Sequence, residues 1–402
     1  MGKGLAPAGR HSGQNAPRLG GDLETLGISA KDRQFMSQAL ELAARARGCT
    51  SPNPMVGCVI VRDDRVVGLG YHKRAGLPHA EIDAVNEAGE KARDATLYVN
   101  LEPCCHHGRT SPCTDAIIKA GIVRVVAAMV DPNPLVAGRG LQRLRSAGIE
   151  VDCGVMDGEA RRLNEAFITY HLKKRPFTIA KWAMTLDGRT STDTGDSRWI
   201  SSDAARTYAH ELRAGSDAIA VGAGTVFLDN PRLNVRLQNY DRKQPARVIF
   251  DEQLRTPLGA RCLDSSGGPA FLVATELASE KRIKAMQKAG HTVLIVPRGN
   301  RGLATETALG MLANHGIQSL LVEGGRRLHT SMLRDSLIDK VIVFVCPKIV
   351  GGEFPTSPLL DLGISGMKAA IDLKNVRIHT FRLDACIEGY INLPPPINIS
   401  DM

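Results

Sequence analysis

The sequence predicts an α/β protein built of two successive layered units, and three observations carry that expectation. Runs rich in Val, Ile and Leu alternate with stretches of helical periodicity along most of the 402 residues, the pattern of sheets covered by helices. That length spans two or three domains. A basic helical stretch ending in Arg175-Pro176 interrupts the alternation once, and the strand and helix series starts afresh at Phe177. We therefore expect a disordered or peripheral tail over 1–28 and units over 29–175 and 176–402. No internal repeat relates the two.

In the first unit Ser29 and Asp32 form a capping box, and Phe35, Ala39, Leu42 and Ala43 share one face of the helix that follows, closed by Gly48. Residues 55–61 and 65–71 read as a hairpin across Asp63-Asp64. Before it, Pro52-Asn53-Pro54 is a rigid turn that either aims the Asn53 amide at a base or serves as turn chemistry alone. Pro78 suits the first turn of a helix, which puts His79 and Glu81 at the start of one running to Gly89. A buried strand over 96–101 delivers Cys104, Cys113 opens a helix to Ala120, and a strand over 123–130 precedes the Asp131-Pro132-Asn133-Pro134 turn. Helical periodicity over 158–174 closes the unit. The second unit reads as strand 177–184, helix 202–214, strands 217–221, 247–250 and 270–273, helix 280–290, strand 292–296, helix 303–316, strand 319–322 and helix 326–337. Closing strands fall over 340–345, 376–383 and 389–393.

Composition narrows the class. Hydrophobic content of 43% and charged content of 23% are ordinary for a globular protein, and no apolar run nears the roughly 18 residues that span a bilayer. Residues 1–30 lack the apolar segment of a secretory signal. Nine cysteines, odd in number and without a framework, fit a reducing cytoplasm. The formal charge of +9 favours anionic partners. Aromatics at 4% leave few stacking platforms for single-stranded nucleic acid. A phosphorylated small molecule accounts for the balance, with neither nucleic acid nor membrane as partner.

The chemistry concentrates between His79 and Cys113. His79-Ala80-Glu81 opens a helix, and Pro103-Cys104-Cys105-His106-His107-Gly108-Arg109-Thr110-Ser111-Pro112-Cys113 follows a strand. One imidazole and two thiolates are a donor set suited to Zn²⁺ with a fourth position open to water, whose pKa the ion would lower from about 15.7 to roughly 7. Glu81 would sit beside the ion without ligating it and carry protons. His-x-Glu and paired cysteines are each weak signals alone. Their order matches the zinc-dependent nucleobase deaminases, in which His-x-Glu is followed by Pro-Cys-x-x-Cys, but here His107 stands three residues after Cys104 and the next cysteine beyond Cys105 is Cys113.

That longer interval, from Leu101-Glu102-Pro103-Cys104 to Pro112-Cys113, resembles the bifunctional riboflavin-biosynthesis deaminase/reductase family. The resemblance implies a cytidine-deaminase-like three-layer α/β unit with zinc ligands His79, Cys104 and Cys113 and with Glu81 as proton shuttle. Cys105 stands where that family more often has serine, and Cys105 and His107 stay open as alternative ligands.

In the second unit Gly222-Ala223-Gly224 supplies only two of the three glycines of a dinucleotide fingerprint, with Phe227 in the third place. Val221-Gly222-Ala223-Gly224-Thr225 and Val322-Glu323-Gly324-Gly325 are nonetheless glycine turns after strands, where backbone N–H groups can approach an anion. Together with Leu186-Asp187-Gly188-Arg189-Thr190, Ser197-Arg198-Trp199-Ile200, Glu211-Leu212-Arg213-Ala214, Asp229-Asn230-Pro231-Arg232-Leu233 and Pro347-Lys348, they resemble the reductase half of the same family. The likeness runs over roughly 31–390. It implies a dihydrofolate-reductase-like unit with NADPH contacts at Ala183, Trp199, Thr225, Asp229, Gly325, Arg326 and Arg327. It implies substrate contacts at Ser197, Arg213, Leu233, Arg236 and Glu323, which Asn53 joins in the first unit. Arg213 and Arg236 are guanidinium forks suited to a 5-phosphate, and Glu323 can accept hydrogen bonds from a pyrimidine or ribose.

The implied reactions are hydrolytic deamination of 2,5-diamino-6-(phosphoribosylamino)pyrimidin-4-one and NADPH-dependent reduction of its ribosyl group to ribityl, in a cytoplasmic homo-oligomer. Two other classes stand beside this one. A nucleoside or tRNA deaminase would keep the first motif but leave the second half unrelated, and a zinc-stabilised scaffold would close the site with Cys105 or His107 as fourth ligand.

Overall fold

Ser29 caps the first helix, α1 (Ala30–Ala44), as the capping box requires: its Oγ accepts from Asp32 N at 3.1 Å, and Asp32 Oδ2 accepts from Ser29 N at 2.8 Å. The computed structural model describes residues 29–106, 111–299, 302–353 and 356–393. The tail expected over 1–28 and the alternative ligand His107 lie outside the described residues. Among those described, no helix is long and apolar enough to cross a membrane.

The first unit is a five-stranded sheet in the order β2-β1-β3-β4-β5. The strands are β1 (Gly57–Arg62), β2 (Arg65–Tyr71), β3 (Thr96–Val99), β4 (Arg124–Ala127) and β5 (Glu150–Cys153). β1 runs antiparallel to both neighbours, and β3, β4 and β5 are parallel. Between them come α2 (Ala80–Ala88), α3 (Cys113–Lys119) and α4 (Arg139–Ser146). Gly57 lies under Ala39 and Ala43 of α1, while Gly70 lies under Ala80 and Ala84 of α2. Gly70 pairs with Cys58, so adjacent residues of β1 face different helices and the sheet is covered on both sides. A Cβ at Gly70 would sit 2.1 Å from Ala80 O; the bare backbone lets the start of α2, with its His79-Ala80-Glu81, press against the strand.

The single helix expected over 158–174 is two, α5 (Asp157–Leu163) and α6 (Glu165–Lys173). Asn164 breaks it, because its buried side chain closes on a distant backbone: Oδ1 accepts from Met55 N at 2.8 Å and Nδ2 donates to Met55 O at 3.0 Å.

The second unit holds a nine-stranded sheet in the order β10-β9-β8-β7-β13-β6-β14-β16-β15. Its strands are β6 (Phe177–Thr185), β7 (Ala218–Gly222), β8 (Ala246–Phe250), β9 (Ala270–Ala274), β10 (Thr292–Ile295), β13 (Ser319–Val322), β14 (Lys340–Cys346), β15 (Lys374–Phe381) and β16 (Asp384–Tyr390), with a separate small hairpin of β11 (Arg298–Gly299) and β12 (Gly302–Leu303). From β10 to β14 every neighbouring pair is parallel, and β16 and β15 add an antiparallel margin. The helices are α7 (Asp203–Ala214), α8 (Ala223–Asp229), α9 (Glu280–Lys288), α10 (Thr305–Asn314) and α11 (Arg326–Arg334). β13 is inserted between β7 and β6, with Leu320 opposite Ala218 on one side and Thr178 on the other.

At the seam Arg175 grips Asp339 with both terminal guanidinium nitrogens, Nη1 and Nη2, at 2.6 and 2.8 Å, and Lys173 Nζ lies 3.3 Å from the same carboxylate. Glu165 of α6 accepts from Tyr390 Oη at 2.5 Å and lies 3.7 Å from Lys340 Nζ.

Candidate active sites

Three separate elements bring the donors of the first unit together. His79 is the N-cap of α2 in an extended conformation, Cys104 follows β3, and Cys113 is the first residue of α3. His79 Nδ1 lies 3.1 Å from Cys113 Sγ and 3.6 Å from Cys104 Sγ, and the three donor atoms all lie within 4.8 Å of one another. Tetrahedral Zn²⁺, with bonds of about 2.3 Å to sulfur and about 2.0 Å to nitrogen, sets the S···N separation at roughly 3.5 Å. Donor chemistry and spacing both fit that ion. The hydrogen bond with Cys113, then that with His79, holds the Cys104 thiol well below its ordinary value, which favours an anionic ligand.

Glu81, in the first turn of α2, is buried and hydrogen-bonded to the Cys113 side chain. Burial, and then the charge on Cys104, raise its carboxyl to about 7, so it can take up or release a proton near neutrality. Cys105 is not part of the donor cluster among the described residues; burial and Glu102 raise its thiol, the opposite of what a ligand needs.

Asn53 is linked to the same site through His72. Its Nδ2 lies 3.0 Å from His72 Nε2, and His72 Nδ1 lies 3.0 Å from Pro78 O. A carbonyl only accepts, so Nδ1 carries the proton and Nε2 accepts from Asn53. The His72 ring meets that of His79 edge-on, with centroids 5.6 Å apart.

In the second unit a groove of about 1170 Å³ opens at the carboxyl ends of β7, β13, β8 and β6, where open parallel sheets take ligands. Two turns meet there: Gly222 N donates to Gly324 O at 2.9 Å, and each turn runs into a helix, α8 or α11. The exposed backbone N–H groups at those helix starts suit a phosphate. Of the residues expected to meet NADPH, Ala183, Thr225, Asp229, Gly325, Arg326 and Arg327 line this groove, as do Ser197 and Glu323 from the substrate set.

Four expected residues sit elsewhere. Trp199 is 61% exposed outside the groove lining, its ring under the Arg206 guanidinium at 4.4 Å. The Leu233 side chain is core, packed with Val221, Val226 and Ile249, and leaves only its backbone for a ligand. The fork of Arg213 is already filled: Nε and Nη2 reach the two Glu323 oxygens at 2.7 and 2.6 Å, and Nη1 donates to Asn234 O at 3.0 Å. Burial works against charge on Glu323, but Arg213, then Lys181 and His210, outweigh it and hold the carboxyl at about 2. Exposed Arg236 donates to Asn234 Oδ1 at 2.7 Å and so joins the same cluster.

Sequence reasoning missed Lys181, which lines the groove. Burial lowers its ammonium below the ordinary value, with Glu323 opposing. An ionisable residue within an otherwise apolar strand was the available signal. His329, whose Nε2 lies 3.1 Å from Val322 O, was missed as well.

Two family descriptions match the chain: "Cytidine and deoxycytidylate deaminase zinc-binding region" over residues 29–129 and "RibD C-terminal domain" over residues 176–387. The chain is 46% identical over 356 residues to the riboflavin biosynthesis protein RibD of Aquifex aeolicus, covering 89% of this chain and 97% of that protein. Against its Escherichia coli counterpart the identity is 42% over 334 residues, covering 80% and 89%. The solved structure of Acinetobacter baumannii RibD matches with a TM-score of 0.81 at 37% identity, over 90% of this chain and 98% of that one. A Thermotoga maritima diaminohydroxyphosphoribosylaminopyrimidine deaminase/5-amino-6-(5-phosphoribosylamino)uracil reductase matches with a TM-score of 0.77, at the same identity and coverage.

Proposed function

The chain belongs to the RibD family and is a bifunctional deaminase and reductase of riboflavin biosynthesis; from that premise we propose that residues 29–175 deaminate 2,5-diamino-6-(5-phosphoribosylamino)pyrimidin-4-one and that residues 176–402 reduce the product with NADPH. The observation that carries the first step is the cluster of His79, Cys104 and Cys113 with buried Glu81 beside it. These three residues would hold Zn²⁺, which when bound supplies a water acidic enough to act as nucleophile at neutral pH. Glu81 takes the proton of that water and returns it to the departing amino group, so that water and amine become carbonyl and ammonia. A carboxyl raised to about 7 supports both halves of that transfer. Asn53 would hold the pyrimidine, its amide fixed by His72.

For the second step, Thr225 in the first turn of α8, Gly325 at the N-cap of α11 and the Arg326-Arg327 start of α11 support the cofactor's phosphates. Asp229, Ala183 and Trp199 complete the proposed cofactor contacts. Ser197, Arg213, Arg236, Glu323 and the Leu233 backbone are the proposed substrate contacts. Bound in this groove, NADPH would supply the hydride, and opening ribosyl to ribityl also needs a proton at the ring oxygen. Lys181, kept below its ordinary pKa beside Glu323, is suited to give that proton. The match over 176–387 sets aside a nucleoside or tRNA deaminase with an unrelated second half. We place the enzyme in the cytoplasm, in keeping with its free cysteines, as a homo-oligomer acting on a small molecule and not on nucleic acid.

The test is ammonia release from the diaminopyrimidine ribotide with and without NADPH, alongside zinc content. Ammonia without NADPH, followed by NADPH oxidation only after deamination, is the expected result; no ammonia from zinc-loaded protein would overturn the substrate assignment.

A further inference from the structure

The turn that presents Asn53 is held from the other unit. Gln318 Nε2 donates to Pro52 O at 2.8 Å. Gln318 is 4% exposed and its backbone is pinned on both sides: its N–H donates to Asp217 Oδ2 at 2.9 Å, and its carbonyl accepts from Phe177 N at 2.8 Å. The Gln318 amide is therefore a buried donor to the turn, carried on a backbone that the second unit fixes on both sides. The segment leading to it is braced against the second unit as well. Arg242 Nη1 donates to Arg47 O at 2.8 Å. Gly48, at φ +74°, passes so close to the end of α7 that a Cβ there would lie 2.1 Å from Ala214 O. On the near side, Asn53 N donates to Thr50 O at 2.8 Å and its amide donates to His72, which abuts His79.

We propose that Gln318 is a positioning residue for deamination: the reductase unit supplies the anchor that fixes Asn53 in the deaminase site. Gln318 touches neither donor cluster nor groove and acts through the Pro52 carbonyl. It leads directly into β13 (Ser319–Val322), which Glu323 follows, so one short strand joins the brace on the Asn53 turn to the groove of the second unit. The inference rests on reading Asn53 as a substrate contact.

The test is Gln318→Leu, similar in size but without a donor, in the full chain. Ammonia release without NADPH reads the first site, and NADPH oxidation on the deaminated ribotide reads the second. The expected result is a deaminase KM raised about tenfold, the scale of one hydrogen bond, with kcat, bound zinc and reductase kcat/KM unchanged. In an Asn53→Ala background the same substitution adds nothing, because no amide is left to aim. Unchanged deaminase KM, equal loss of both activities, or additivity with Asn53→Ala would overturn the proposal. An Asn53→Ala variant with normal KM would instead remove the substrate reading of Asn53, and the inference with it.

Discussion

Replacing Asp339 by alanine tests the seam most directly. The carboxylate is 1% exposed and the Arg175 side chain 10%; two hydrogen bonds of 2.6 and 2.8 Å join them, and Thr178 N donates to the same carboxylate at 3.0 Å. Without Asp339 the buried guanidinium keeps the Pro176 carbonyl at 2.9 Å but has lost its counter-charge. Breaking a buried pair in this way costs about 3–5 kcal/mol. The stranded Thr178 N–H pushes toward the upper end, while Lys173, 30% exposed, rehydrates and adds little. With about 4 kcal/mol and roughly 2–4 °C per kcal/mol for a unit of this size, the transition of the second unit should fall by about 8–16 °C in calorimetry. Arg175→Met added to Asp339→Ala should recover part of that loss, since no buried charge then stands alone. A fall below about 3 °C, the scale of an exposed pair, or a double variant weaker than the single one, would refute the reasoning.

Glu81→Gln should lower ammonia release by about 10²–10⁴-fold, with zinc content by atomic emission and NADPH oxidation on the deaminated ribotide both unchanged. Glu323→Gln takes the counter-charge from Arg213 and should lower reductase kcat/KM by roughly 10- to 100-fold, the range of a charged hydrogen bond, while ammonia release stays at its wild-type rate. His171 is held down at about 4 by burial and then Lys174, below its unfolded value of 6.5. Its contribution is therefore full above pH 6.5 and is lost as pH falls toward 4. His171→Gln should flatten the decline in melting temperature across that window, and an unchanged slope would show that other groups set it.

Local chemistry was legible wherever a few neighbouring residues decide the outcome. The capping box at Ser29 and Asp32, the helix start at His79 and Glu81, and the placing of Cys104 after a strand and Cys113 at a helix start are of this kind, although Pro78 precedes the N-cap and does not lie in the first turn. What the sequence concealed depends on distant partners. Asn164 looks helical until Met55, far back in the chain, takes its amide. α4 and β5 were overlooked because Arg139, Arg143 and Arg145 make that helix read as a polar loop, though Leu141 and Leu144 are buried. The helical α8 was read as a glycine turn. Arg213 looked like an open fork; only the fold brings Glu323, on a strand much later in the chain, against it. Leu233 sat among motif residues facing a ligand, yet its side chain turns into the core.

The insertion of β13 between β6 and β7 also sets a timetable. A chain made at about 5–20 residues per second needs roughly 5–20 s to run from the end of β7 to the start of β13. Through that interval both strands present a bare edge toward the slot that β13 will fill, and bare edges invite pairing with other chains. The donors for zinc are already synthesised by then, whereas the brace on the Asn53 turn has not yet left the ribosome. Slow translation across 223–318 lengthens that exposure, and rapid passage shortens it.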